Sequence, residues 1–218
     1  MMEKFDPDFR QHGFTLVEVL VVIVIIYILA VMLVTRLNEP TRTRVPLCLS
    51  HLRQVDVGFW MFASDHHNRF PMQSPAAIGG TLEFTNTERA FPDFEKLEVY
   101  RVEPRLFLCP FETNRYAALS YEVLNDSNLS YFVNRNATTT NAPRSILMGD
   151  RFLQINDKPV KPGLLVLTTN LRLSWTPGFH ADGGGIAFAD GHAEFTRDQK
   201  LVTVICSQPL ATNRFCIP

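Results

Sequence analysis

The chain of 218 residues carries a net charge of −1; 46% of its residues are hydrophobic and 20% are charged. The near-neutral balance argues against a nucleic-acid-binding surface, which requires clustered Lys and Arg side chains. The length allows one globular domain of ordinary size plus an additional segment. We therefore expect no nucleic-acid partner.

An almost unbroken apolar run begins at Phe14 and ends at Thr35. A run of this length crosses a bilayer core of roughly 30 Å as one helix. Helix is the workable conformation there, because an isolated strand in lipid leaves its backbone polar groups unsatisfied. The run therefore predicts a transmembrane helix over residues 14–36. Glu18 is the exception within it, since a carboxylate at mid-membrane costs about 2.5–3.5 kcal/mol, and its own run is expected to offer it no partner.

The residues Gly13-Phe14-Thr15-Leu16-Val17-Glu18 resemble the processing site of type IV prepilins and type II secretion pseudopilins. The resemblance implies a membrane peptidase that cuts between Gly13 and Phe14 and methylates the new N-terminal amine. Residues 1–13 are then a leader peptide, and Glu18 becomes the fifth residue of the mature chain. In a filament, Glu18 could meet the positive N-terminus of a neighbouring subunit. The plain alternative is a membrane anchor with an accidental glutamate.

The segment after the apolar run predicts the second half of a long N-terminal helix, within residues 37–67. Pro40 and Pro46 are expected to kink or interrupt it. Apolar residues then recur at helical spacing as far as about Asp65, which predicts an amphipathic helix. The apolar stripe comprises Val45, Leu49, Leu52, Phe59 and Ala63, whereas Arg53, Gln54 and Asp56 are expected on the opposite side.

Residues 68–218 predict a globular head of short strands and turns. The strand candidates are 81–84, 106–110, 131–133, 145–148, 163–168, 185–189, 193–196 and 201–206, with the last two as a closing pair. The predicted fold class is α+β, in which a long N-terminal helix packs on an antiparallel β-sheet head. This is the architecture of pilins.

Four cysteines, Cys48, Cys109, Cys206 and Cys216, are an even number that suits an oxidising compartment. Three pairings are open, and the sequence cannot choose among them. Cys206 and Cys216 are the favoured pair because they lie close in the chain, and closing that loop would contribute on the order of 2–3 kcal/mol. Four reduced, buried thiols are the alternative. No CxxC or CxxH spacing indicates a metal site.

The stretch from His180 to His192 concentrates polar side chains, including Asp182 and Asp190, around three consecutive glycines. These residues could be metal ligands or a general acid/base pair. We favour a strand that ends in an Asp190-Gly191 hairpin turn, with His180 hydrogen-bonded near that turn. Metal binding by this region stays open.

His180, nine further residues and then Asp190-Gly191 resemble the H-x9-DG signature of pilin-like proteins abundant in Planctomycetes, Verrucomicrobia and relatives. The resemblance covers nearly the whole chain and assigns the H-x9-DG region to residues 180–191. Further landmarks match in order at Cys48 to Gln54, Asp65 to Pro71, Cys109-Pro110 and Met148 to Arg151.

The resemblance implies a single-pass protein of the inner membrane with a periplasmic C-terminal head. It would be a structural subunit of a type II secretion pseudopilus or a type IV pilus-like filament, with no enzymatic role and no cofactor. Its partners would be prepilin peptidase, copies of itself or other pseudopilins, and the inner membrane. The rival interpretation is a membrane-tethered periplasmic module that binds a sugar or a metal through the region from His180 to His192.

Overall fold

The computed structural model divides the chain into two compact units, Met1–Arg42 and Thr43–Pro218. It describes residues 15–37, 44–140, 145–168, 173–180, 183–208 and 212–218. The predicted leader 1–13 and Phe14 lie outside these residues.

The first unit contains one helix, α1, from Leu16 to Leu37. Its many Val and Ile residues favour strands in water, but the run contains no Gly or Pro to break a helix, which satisfies its own backbone groups. The apolar side chains from Leu16 to Met32 are exposed in this unit. Among the described residues, no helix is both long and apolar enough to cross a membrane. The transmembrane segment 14–36 stays a prediction.

The second unit begins with α2, from Arg44 to Asp65. Pro46 lies in the first turn, where a backbone N–H has no acceptor within the helix, so proline is tolerated there. The predicted apolar stripe is confirmed, because Leu52, Phe59 and Ala63 are fully buried. Asp56 was expected on the solvated face and is instead completely buried. It follows Leu52 by four residues and therefore lies on the same side of the helix.

The centre of the second unit is a six-stranded antiparallel sheet with the strand order β5-β9-β1-β2-β7-β8, and a small three-stranded sheet has the order β4-β3-β6. The strands are β1 Tyr131–Asn134, β2 Ile146–Asp150, β3 Leu153–Ile155, β4 Lys158–Pro159, β5 Gly163–Thr168, β6 Leu173–Trp175, β7 Gly183–Phe188, β8 Ala193–Arg197 and β9 Thr212–Ile217. Two further helices are α3 Phe91–Glu95 and α4 Asp198–Cys206. The predicted α+β class with an antiparallel sheet is confirmed.

Each face of the large sheet has its own apolar core. On one face α2 and residues 70–129 cover side chains such as Val133 and Ala187. On the other face α4 and the small sheet cover side chains such as Phe132 and Ile186. Adjacent strand residues thus point to opposite cores, as the period of two in a β-strand requires.

Three predicted strands are wrong. Residues 201–206 belong to α4, where Leu201 and Ile205 are buried one helical turn apart and Val202 is exposed. A run rich in β-branched residues favours a strand. The segment forms a helix instead because a helix buries its apolar residues along one face. Residues 81–84 and 106–110 contain 3₁₀ turns at Leu82–Phe84 and Pro104–Phe107.

Two of the three consecutive glycines of β7, Gly183 and Gly184, allow aromatic rings to lie against the strand. A Cβ at Gly184 would come within 2.5 Å of the Trp175 ring, and one at Gly183 within 2.3 Å of the Phe195 ring. Real Cβ atoms do not approach other atoms so closely, so the glycines are explained by packing.

Candidate functional site

Four ligand-type side chains meet in the interior of the second unit. Cys48 comes from α2, Cys109 follows the 3₁₀ turn Pro104–Phe107, Asp150 ends β2, and His180 precedes β7. All four are at most 2% exposed. We call this group the Cys–Asp–His cluster. It is the only such group of three or more side chains in the part of the chain that the structure describes.

The ligand atoms of the Cys–Asp–His cluster converge on one point. Cys109 Sγ lies 3.1 Å from Cys48 Sγ and 3.1 Å from His180 Nε2. Asp150 Oδ2 lies 3.5 Å from His180 Nε2, and Asp150 Oδ1 lies 3.6 Å from Cys48 Sγ. All four atoms are within 4.8 Å of one another. Four donor atoms at these spacings are what a tetrahedral metal site requires.

Burial suppresses charge at this cluster. Desolvation raises the pKa of Asp150 to about 7, although the Gly185 N–H, which donates to Asp150 Oδ2 at 2.6 Å, opposes the change. Desolvation also lowers the pKa of His180 to about 4, so the imidazole is neutral at pH 7. The hydrogen bond between Cys48 and Cys109, followed by burial, raises the pKa of Cys48. The cluster therefore contains two thiols, a carboxyl group and a neutral imidazole, and no cation of its own.

His180 takes an unusual backbone conformation to reach the cluster. Its φ is 50°, in the left-handed region, which is uncommon for residues other than glycine. The ring packs between Phe111 and Phe179, with centroids 4.2 and 4.4 Å away, and the buried Nδ1 has no hydrogen-bond partner among the described residues. We expected a hydrogen bond near the Asp190-Gly191 turn, and this was wrong.

The Asp190-Gly191 turn is confirmed as the hairpin between β7 and β8. Asp190 Oδ1 contacts His192 Nδ1 at 2.5 Å, and His192 is exposed and stacks on Phe188. His180 and His192 thus occupy different places, one in the buried cluster and the other in an exposed hairpin. The region from His180 to His192 does not form one binding site among the described residues, which exclude Asp182.

The Cys–Asp–His cluster could have been found from the sequence only through its landmarks. Cys48, Cys109, Asp150 and His180 all fall within the stretches that resemble the H-x9-DG proteins. The two cysteines were disulfide candidates, but Asp150 was assigned no role. Separations of 30 to 61 residues hid the set, since metal motifs are recognised by short spacings.

The favoured cysteine pair is not formed in this structure. Cys216 is a free, buried thiol whose Sγ lies 3.8 Å from the Thr87 carbonyl oxygen. It faces the core beneath α2, whereas the buried residues of α4 face the opposite core. Cys206 closes α4, and its side chain lies outside the described part of the chain. Because the buried residues of α4 and Cys216 face opposite sides of the sheet, proximity in sequence does not by itself bring the two segments together.

The N-terminal segment has a site of its own. Thr15 N and Thr15 Oγ1 both donate to Glu18 Oε2 at 2.8 Å, and Glu18 N donates to Thr15 Oγ1 at 3.3 Å. This reciprocal arrangement is a capping box at the start of α1. The expectation that Glu18 has no partner in its own run is therefore wrong for hydrogen bonds. Thr15 supplies donors but no positive charge.

A comparison with known families decides the class of this segment. Residues 8–34 match the family model described as the prokaryotic N-terminal methylation motif. No curated protein and no solved structure matches the chain.

The match indicates a prepilin-like N-terminus of the kind that prepilin peptidase processes. It also implies membrane anchoring at the N-terminus and assembly into filaments. The prepilin-like proteins that carry this motif are structural subunits. The matched residues include Gly13, Phe14 and Glu18, so the motif covers the whole N-terminal site and none of the head.

Proposed function

We propose that this chain is a pilin-like structural subunit. Prepilin peptidase cleaves it between Gly13 and Phe14 and methylates the new N-terminus. The mature chain then assembles with copies of itself or with other pseudopilins into a type II secretion pseudopilus or a type IV pilus-like filament. The match of residues 8–34 to the methylation motif is the observation that carries the proposal. The head is periplasmic, and α1 lies in the inner membrane.

The contacts of Glu18 support an assembly role for its charge. Its hydrogen bonds to Thr15 satisfy acceptor sites, but a carboxylate in an apolar environment still needs a cation. Cleavage after Gly13 creates a positive amine on Phe14, four residues from Glu18. Within a filament, the amine of one subunit pairs with the Glu18 carboxylate of its neighbour.

The surface of α1 supports lateral packing. Its described apolar side chains are exposed on every side of the helix, from Leu16 to Met32. A continuous exposed apolar surface marks contact with a membrane or with another protein. Before assembly lipid covers this surface, and in the filament neighbouring α1 helices replace the lipid.

Gly13→Ala is expected to leave the leader attached. The peptidase must bring the backbone at the cleavage site close to its catalytic groups, and a Cβ obstructs that approach. Full-length protein co-expressed with a prepilin peptidase is analysed by intact mass. The parent chain loses residues 1–13 and gains a methyl group, as does the control His12→Ala, which alters the neighbouring leader residue. Normal maturation of Gly13→Ala would contradict the proposed processing.

Glu18→Ala and Glu18→Gln are expected to insert into the membrane and to assemble poorly. Gln at this position keeps the capping box, which accepts either residue, but removes the charge. Sheared filaments should decrease about tenfold or more in both variants, equivalent to about 1.4 kcal/mol per contact. Glu95→Gln, at an exposed head position, is the control. Filaments at parent levels from Glu18→Gln would show that capping suffices and would refute charge pairing.

A further inference from the structure

The spacing of the Cys–Asp–His cluster fits a zinc ion. Zinc bonds of about 2.3 Å to sulfur and about 2.0–2.2 Å to nitrogen or oxygen place tetrahedral ligand atoms about 3.4–3.8 Å apart. With Asp150 Oδ2 as the oxygen donor, the distances between neighbouring ligand atoms range from 3.1 to 3.9 Å, and all four ligand atoms lie within 4.8 Å of one another. Movements of up to about 1 Å would complete the site.

The types of donor atom in the cluster favour one metal over others. Two thiolates and an imidazole suit zinc, whereas magnesium and calcium prefer oxygen ligands. All four donors are buried, so no position is open to substrate, and such closed four-ligand sites are structural. The Gly185 N–H that donates to Asp150 Oδ2 at 2.6 Å orients the carboxylate, as partners of metal-bound carboxylates do.

All four ligand residues are buried, so the charges that metal binding creates must be balanced within the cluster. Metal binding would expel the protons of the Cys48 and Cys109 thiols. The ion then neutralises two of the three negative charges that the two thiolates and Asp150 contribute.

We propose that Cys48, Cys109, Asp150 and His180 bind one structural zinc ion that ties together α2, the segment after residue 107, β2 and the loop before β7. The ion links four segments that are distant in sequence, so its binding free energy contributes directly to the stability of the head. It also explains why His180 holds a left-handed conformation, because strained backbone is retained where geometry serves a site. This inference does not rest on the proposed filament function.

The competing chemistry is a disulfide between Cys48 and Cys109. Their sulfurs lie 3.1 Å apart and both thiols are free in the structure, compared with about 2.05 Å in a disulfide. An oxidised pair could not bind zinc through thiolates. The two states therefore predict opposite results in one experiment.

The test uses the full chain, isolated from membranes in a non-ionic detergent without reductant. Elemental analysis should find about one zinc ion per chain. Intact mass under denaturing, non-reducing conditions should show all four cysteines reduced. Replacement of zinc by Co²⁺ should produce the intense visible absorption of tetrahedral cobalt, together with sulfur-to-cobalt charge-transfer bands. These measurements need no variant.

Two variants assign the ligands. Cys109→Ser should retain less than about a tenth of the bound zinc. Cys216→Ser, the control, removes a buried thiol of the same core outside the cluster and should retain it all. A chelator should lower the Tm of the parent chain and of Cys216→Ser. Absence of zinc from the parent, a Cys48–Cys109 disulfide, or full zinc content in Cys109→Ser would each overturn the proposal.

Discussion

Arg135→Met is expected to lower the free energy of unfolding of the head by about 3–5 kcal/mol, because it leaves a buried carboxylate without its cation. The side chains of Arg135 and Asp93 are both completely buried, with 2.9 Å between Arg135 Nε and Asp93 Oδ2. The guanidinium also donates to the carbonyl oxygens of Phe84 and Arg89, at 2.5 and 2.6 Å. One side chain thus joins the end of β1 to residues 84–93, which contain no strand.

The loss caused by Arg135→Met should depend on pH. Burial raises the pKa of Asp93 to about 6, even though Arg135 pulls it down. Without Arg135 the pKa of Asp93 rises further. The free energy of unfolding that Arg135→Met removes is therefore largest above pH 6. Near pH 4 the carboxyl group is protonated in the native state with or without Arg135, and the difference shrinks.

Urea unfolding of the full chain in non-ionic detergent would measure this effect. Both tryptophans, Trp60 and Trp175, lie in the second unit and report its unfolding. Arg105→Met is the control, since Arg105 and Glu103 form an exposed pair that contributes about 0–1 kcal/mol. The double variant Arg135→Met/Asp93→Leu should recover much of the loss. A loss below about 1 kcal/mol for Arg135→Met at pH 8 would refute this account.

Asp56→Asn is expected to stabilise the head by about 2–5 kcal/mol at pH 8. Asp56 is completely buried in α2, and neither carboxyl oxygen has a hydrogen-bond partner in the part of the chain that the structure describes. Burial, and then the charge of Asp190, raise the pKa of Asp56 to about 8. Asparagine keeps the shape of the side chain and cannot ionise.

The two pKa values of Asp56 give the direction in which stability changes with pH. In the unfolded chain Asp56 loses its proton near pH 3.9, whereas in the folded chain it keeps the proton to about pH 8. Between these values the unfolded state binds fewer protons, so the contribution of Asp56 to the stability of the parent falls as pH rises, by about 1.4 kcal/mol per unit.

Parent and Asp56→Asn should therefore have similar stability at pH 4. The difference between their free energies of unfolding should increase towards pH 8. The same urea experiment, repeated across this range, would measure it. Asp65→Asn, at an exposed position of the same helix, should show no such widening. An Asp56→Asn variant that is less stable than the parent at pH 8 would mean that the carboxylate has an unrecognised partner.

Local pattern predicted α1, α2 and five of the nine strands that the structure describes. The period of the apolar residues in α2 predicted its buried stripe, and the turn residues Asp190-Gly191 predicted the β7–β8 hairpin, because both signals act between near neighbours in the chain. The same reasoning failed for α4. Its β-branched residues favour a strand locally, and burial of Leu201 and Ile205 against the sheet decided for a helix.

The amino-acid sequence alone determined the prepilin-like N-terminus, because the signal from Gly13 to Glu18 is contiguous and needs no folding to be recognised. Only the tertiary structure decided which side chains meet in the head. It buried Asp56 and paired Asp93 with Arg135. It also brought Cys48, Cys109, Asp150 and His180 within 4.8 Å of one another. The pairing of strands and the packing of α2 on the sheet set such contacts, and no local pattern encodes them.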